Sequence, residues 1–381
     1  MAQQRIFVVG GSGFLGSAIV KQAVSRGWEV VSISPSGRPF TTPAGHRPGW
    51  STSPLIRWQS ADALRPETYA DELRSCTAVV HTIGILLESD YKGGRARAGE
   101  QGSGAGGGGV LQGLMKGWGF GSSNPLDESA GKLSYEVMNR DSALSVARAF
   151  IDSRTGTCPL TSTPISTSAP FVYISAEDIF RPIVSERYIK TKREAEYELA
   201  RMALDTLKAS PSDPSVSSSL AKAVAKEPTI RPFFVRPGLM YHPQTRPLST
   251  FPAALLDLSA SIHARLDPAS SPAAAFDGPA SGQTQSSTSS RLPFGLRIPT
   301  PASLIRSLGP QGVQPLADLL TLPPLHIDTV AKAVCAAIAG EAREKRIGFT
   351  VTAQVEAKDT PVSVGEVLAT SDIRRLAGWK S

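Results

Sequence analysis

Little in this sequence suits a disulfide-stapled, metal-bound or membrane-spanning protein. The 381 residues include only three cysteines, Cys76, Cys158 and Cys335. They lie far apart and form no CxxC pair, which excludes a disulfide framework and points to a reducing compartment. The five histidines show no metal-ligand spacing, so no metal is expected. No uninterrupted apolar run is long enough to span a bilayer. A strand pattern starts at Arg5, and the four residues ahead of it leave no room for a cleavable presequence. Charged residues make up only 19%, and the formal net charge of +7 is spread out with no Lys/Arg run. That spread argues against nucleic acid as a partner. These absences predict a soluble or membrane-peripheral protein with no transmembrane segment.

What the chain does have is glycine and proline, 34 and 30 residues. They gather in segments 92–124, which includes Gly106-Gly107-Gly108-Gly109, 209–219 and 267–291. Too little apolar content is left there to order the backbone, so all three are predicted to be disordered inserts. Elsewhere strands and helices alternate. Residues 5–9, 28–33, 55–59, 78–83, 171–175 and 233–235 read as strands, and 134–151 and 188–206 as helices. That rhythm predicts an α/β fold, a Rossmann-type doubly wound parallel sheet with helices on both faces. Apolar helical patterns at 250–266 and 301–320 predict a small C-terminal cap on the substrate side. The boundary is drawn between a nucleotide-binding domain, 1–249, and a C-terminal region, 250–381.

Directly after the first strand, Gly10, Gly13 and Gly16 spell GxxGxxG, and Gly11, Gly13 and Gly16 also spell GxGxxG. Alone such a motif is weak. Between an apolar strand and an amphipathic helix it acquires a physical meaning. One glycine makes the tight turn, another lets a pyrophosphate approach the backbone, and a third lets helix and strand pack closely. The helix start, with Ser12, Phe14 and Leu15, then offers amides and a positive dipole end to phosphates. The segment predicts a bound NAD(P).

The choice between the two cofactors falls near the end of the second strand. No carboxylate follows it. Ser34 and Arg38 stand there instead, and Arg38 can reach a 2′-phosphate, which favours NADP(H) over NAD(H). A solvated loop charge is the alternative at Arg38. Asp62, after the third strand, suits either an adenine contact or a helix N-cap.

Tyr188 and Lys192 form a YxxxK pair, four residues apart and therefore on one helix face. A neighbouring ammonium favours phenolate, so Lys192 is expected to bring Tyr188 toward neutral pH. Ser175 precedes Tyr188 by 13 residues and ends a strand, where ligands bind in such sheets.

Glycine loop, Ser175, Tyr188 and Lys192 together resemble the short-chain dehydrogenase/reductase superfamily. Arg236-Pro237-Gly238 and Leu325-His326-Ile327-Asp328-Thr329-Val330-Ala331 are similar to segments of its extended and atypical members. Val79-Val80-His81-Thr82-Ile83-Gly84, Tyr135-Glu136-Val137-Met138-Asn139 and Tyr173-Ile174-Ser175-Ala176 narrow the likeness. They resemble a fungal mitochondrial atypical member associated with the coenzyme Q biosynthetic complex, and its relative, the nucleotide-binding accessory subunit of respiratory complex I. The resemblance implies roles. Tyr188 would exchange a proton, Lys192 hold the nicotinamide ribose, Ser175 orient a carbonyl or hydroxyl, and Asn139 support a water relay. Pro237 and Gly238 would lie near the nicotinamide, Gly84 would line its pocket, and His81 is either a wall of that pocket or a satisfied core residue. It further implies a quinone-precursor-like substrate and a membrane-peripheral protein complex on the matrix side of the mitochondrial inner membrane. His81-Thr82-Ile83-Gly84 departs from the Asn-Asn-Ala-Gly of ordinary members, which leaves open a subunit that binds nucleotide without turnover.

Overall fold

A computed structural model describes residues 4–85, 134–154, 168–179, 186–209, 228–245, 250–266, 302, 319–353 and 362–379. The inserts expected at 92–124 and 267–291, and the expected insert 209–219 beyond Ala209, lie outside the described residues. So does the helix expected at 301–320, apart from 302, 319 and 320.

The first strand, β1 (Arg5–Val9), is buried on both faces. Ile6 and Val8 face one apolar cluster, while Phe7 and Val9 face a second. A strand whose alternate residues are all apolar belongs in the middle of a sheet covered by helices on both sides. α1 (Phe14–Ser25) follows the glycine turn. It stops where Gly27 adopts a φ of +74°, its amide bonding Val24 O while the Trp28 amide bonds Ala23 O. That pair of bonds is a Schellman ending, which needs the left-handed residue glycine supplies.

The chain continues through β2 (Glu29–Ser34), β3 (Ile56–Ser60), the short α2 (Ala70–Leu73) and β4 (Ala78–His81). A π-helical turn, Glu136–Asp141, leads into α3 (Ser142–Ser153). Then come β5 (Ala169–Ile174), α4 (Glu186–Ala209), β6 (Ile230–Val235), β7 (Met240–Tyr241) and α5 (Thr250–Leu266). The C-terminal stretch holds β8 (Leu325–His326), α6 (Ile327–Ile338), α7 (Glu341–Glu344), β9 (Phe349–Ala353), β10 (Val362–Leu368) and α8 (Thr370–Leu376).

Eight strands form one sheet in the order β3-β2-β1-β4-β5-β6-β10-β9, and β7 pairs β8 separately. All pairings in the large sheet are parallel except that of β9 with β10. Strand order reverses between β1 and β4, which opens a crevice at their carboxyl ends. α1 packs on α6, whose alanines permit close approach, and both cover one face. α3 and α4 cover the other. Among the described residues no helix is long and apolar enough to cross a membrane.

Three differences from the sequence reading have physical causes. β6 starts at Ile230 rather than 233, running through Pro232. Proline lacks a ladder donor, which hides such a strand in sequence. It is tolerated because β10 engages only Phe233–Val235. β4 ends at His81 rather than 83, because Thr82 turns its hydroxyl onto Val9 O and closes the strand end. Finally, residues 325–379 do more than form a cap: β10 extends the parallel sheet, β9 adds its edge, and α6 completes a helical layer.

Candidate functional site

The glycine turn is built by close approach. Gly10 has a φ of +84° and its amide bonds Ile33 O at 2.9 Å. A Cβ on Gly16 would lie 2.1 Å from Gly10 O, and one on Gly11 would lie 2.2 Å from Ser32 Oγ. No side chain caps the start of α1, and its first turn carries no acidic residue. Its backbone donors and dipole therefore face the crevice without a built-in anion. Ser12, Gly13, Phe14 and Leu15 lie along this entrance. This is the shape a pyrophosphate takes, and the residues present fit NAD(P).

Ser34 is buried and its Oγ accepts the Gly37 amide at 3.2 Å. Gly37 has a φ of +63°, and a Cβ there would reach 2.5 Å from Ser60 N. The loop is therefore held against β3, and Arg38 beyond it is exposed. Asp62 Oδ1 accepts the Leu64 amide at 2.9 Å, a local turn-capping contact in place of a helix cap.

On the far side of β1 a polar cluster gathers at the ends of β4 and β5. Asn139, carried inward by the π-helical turn, is fully buried. Its Oδ1 accepts the Ile85 amide at 2.9 Å and its Nδ2 donates to Ile85 O at 3.1 Å. The Asn139 carbonyl accepts from the Tyr173 hydroxyl. π-turns of this kind are frequent at functional sites. Lys192 is also buried, and its Nζ donates to Ile174 O at 2.9 Å. Gly84 lies against both: a Cβ there would come within 2.8 Å of Lys192 Nζ and 2.9 Å of Asn139 Oδ1. His81 is fully buried with Nε2 3.0 Å from Ser142 Oγ. Burial, and then the charge of Lys192, lower its pKa to about 3, so the ring is neutral. Burial likewise lowers the Lys192 pKa to about 7.

Tyr188 is not brought toward neutral pH by Lys192 as its spacing suggests. Lys192 Nζ sits 6.0 Å from the Tyr188 ring centre but 4.8 Å from that of Tyr173. Tyr188 instead packs in an apolar cluster with Tyr135, Ile179, Ile189, Leu239 and Leu319. Burial, followed by the neighbouring Tyr135, pushes its pKa up rather than down. Helical spacing puts Tyr188 and Lys192 on one face, but the carbonyl of Ile174 captures the ammonium.

Ser175 is buried just past β5. Its Oγ accepts a 2.9 Å hydrogen bond from Arg193 Nη1. Arg193 also donates to Ala176 O at 2.8 Å and to Glu196 Oε1 at 2.6 Å. Glu196 is bound in turn by Arg236, whose Nε donates to Oε1 at 3.0 Å and whose Nη2 reaches Oε2. Arg236 is thus turned toward Glu196. Pro237 O accepts the Glu177 amide, and the Gly238 amide donates to Thr370 Oγ1 at 2.9 Å. The structure therefore unites Gly84, Asn139, Lys192 and His81 in one cluster and places Ser175 in another with Arg193. Sequence reasoning missed Arg193, Glu196, Tyr173 and Thr82. The spacing of Lys192, Arg193 and Glu196 on one helix was the available signal. His326 caps α6, its Nδ1 accepting the Asp328 amide.

Sheet order and the glycine turn at the strand ends define a protein of the dinucleotide-binding α/β fold. Residues 6–91 match the NAD dependent epimerase/dehydratase family. MIOREX complex component 2 of Saccharomyces cerevisiae is 31% identical over 238 residues, 62% of this chain and 73% of that protein, and the chain belongs to its family. An uncharacterized chloroplastic protein of Arabidopsis thaliana is 42% identical over 81 residues, 21% of this chain and 25% of its own. A short-chain type dehydrogenase/reductase from Mycobacterium ulcerans is similar in structure, with 13% identity, a TM-score of 0.42, and coverage of 98% and 91% of the two chains.

Proposed function

We propose that this protein binds NAD(P) across the β1/β4 crevice and acts as an oxidoreductase in mitochondrial coenzyme Q biosynthesis. The observation that carries the reading is the meeting of Lys192, Asn139 and Gly84 at the strand ends beside the glycine turn. The helix start would hold the pyrophosphate, and Ser34 with Arg38 the adenosine ribose and a 2′-phosphate, which favours NADP(H). When bound, the nicotinamide would supply or accept hydride. Lys192 Nζ, anchored on Ile174 O, would present its remaining hydrogens to the ribose hydroxyls. Tyr188 would exchange the proton and Ser175 would position the substrate oxygen. Asn139, with both amide atoms on Ile85, would set the exit of β4 rather than carry a water relay. The apolar cluster around Tyr188 suits a quinone-precursor-like ring, with α5 on the substrate side. The relative named as a complex component supports a protein partner, and the family resemblance supports the matrix face of the inner membrane.

A second reading is a nucleotide-binding subunit that stabilises a complex without turnover. The burial of Tyr188 in an apolar cluster, which keeps its phenol protonated, favours it. Bound nucleotide stabilises a fold whether or not it reacts. Following oxidation of reduced cofactor with quinone-ring substrates, wild type against Tyr188→Phe, separates the two. Turnover lost with nucleotide still bound supports the enzyme. Absent turnover in wild type, with normal complex assembly in Tyr188→Phe cells, supports the subunit.

A further inference from the structure

Ser175 is buried, and Arg193 Nη1 donates to its oxygen at 2.9 Å. A serine hydroxyl has one hydrogen and two lone pairs. The guanidinium fills one lone pair, and its charge opposes a second donor at the other. Among the described residues the hydroxyl hydrogen has no acceptor. Arg193 cannot swing away easily, because Ala176 O and Glu196 hold it, and Glu196 is itself held by Arg236. Ala176, whose carbonyl Arg193 also holds, packs in an apolar cluster with Ile179, Tyr188 and Leu239.

From this geometry we infer that Arg193 is a positioning residue that fixes Ser175 as a hydrogen-bond donor, so that the site takes the carbonyl form of an apolar substrate pair over the hydroxyl form. The inference rests on the proposed role of Ser175 at the substrate oxygen and adds a direction to it. A carbonyl oxygen only accepts, which matches a fixed donor. An alcohol brings a hydrogen of its own, which at Ser175 meets only the lone pair where the Arg193 charge opposes a second donor. Tyr188, kept protonated by its burial, adds a second donor of the same sense. The adjacent cation strengthens the serine O–H as a donor.

The test is a calorimetric titration of the full chain, without nucleotide and again with NAD, using acetophenone and its corresponding alcohol. Wild type should bind the ketone about tenfold more tightly, the size of one charge-assisted hydrogen bond. In Arg193→Met the ratio should fall to about one, with NAD affinity and melting temperature held, and Arg193→Lys should restore most of it. Equal ratios in wild type and Arg193→Met, or no binding of either probe, would overturn the inference. If Arg193→Met proves unstable, the wild-type and Arg193→Lys ratios decide alone: a wild-type ratio near one overturns it. Loss of NAD binding in wild type, by contrast, would remove the nucleotide reading and leave the ketone-to-alcohol ratio standing.

Discussion

Gly84 touches Lys192: a single methyl at Gly84 would lie 2.8 Å from the lysine Nζ. The contact joins the exit of β4 to the second turn of α4 and leaves no room for a side chain. Because the obstructed atoms end flexible side chains, the fold can yield where the site cannot. Gly84→Ala should therefore cost only about 1 kcal/mol of stability, the low end of overpacking. Nucleotide affinity should fall at least about tenfold as Lys192 is pushed from Ile174 O. Denaturant melts and NAD titration of the same preparation check both; an unchanged affinity would remove Lys192 from the ribose site.

Gly16 and Gly27 offer a contrast between two uses of glycine. A Cβ at Gly16 would strike the Gly10 carbonyl at 2.1 Å, which is backbone and cannot step aside. We expect Gly16→Ala to lose about 3 kcal/mol and its nucleotide-dependent rise in melting temperature. Gly27 has only its φ of +74° to defend, with nothing within 4 Å. Gly27→Ala should cost about 1 kcal/mol and leave the nucleotide response intact.

Lys192 sets a pH dependence with a definite sign. Its folded pKa, about 7, is below the ordinary 10.5, so between those values the unfolded chain binds the extra proton. Stability therefore rises with pH through that window, and the penalty of the buried ammonium is fully present below pH 7. Lys192→Met should flatten the slope and stabilise the protein at pH 6 by on the order of a few kcal/mol. Urea melts between pH 6 and 10 test this; parallel slopes in the two proteins would contradict it.

On the proposed function, Arg38 would decide between the two cofactors. It is exposed and forms no ion pair among the described residues, so it is available to a phosphate. Arg38→Ala should weaken NADPH at least about tenfold and leave NADH within about twofold. Equal losses for both would end the 2′-phosphate assignment.

Much of the nucleotide half was legible. β1 reads from its unbroken apolar run, and Gly10, Gly11 and Gly16 from the spacing that a strand-turn-helix demands. Gly27 was visible as a helix stop for the same local reason. β6 was only half visible because Pro232 breaks the strand pattern, and its acceptability depends on where β10 begins to pair. β10 escaped notice because its parallel partner β6 lies far back in the chain, Leu368 pairing with Val235, and β9, which pairs with β10, went with it. At the candidate site, Tyr188 and Lys192 were found by their helical spacing, yet that spacing was misleading about their chemistry.

By itself the sequence determined the features that depend on a few neighbouring residues: the glycine turn, the amphipathic helices, and the shared face of Tyr188 and Lys192. Steric limits on φ and ψ and the helical period act over that range. Only the tertiary structure decided which groups those side chains would meet. Ile174 O took the Lys192 ammonium, and Arg193 took the Ser175 hydroxyl. Those choices depend on how α4 crosses β5 and β6, which is set by packing across the whole core.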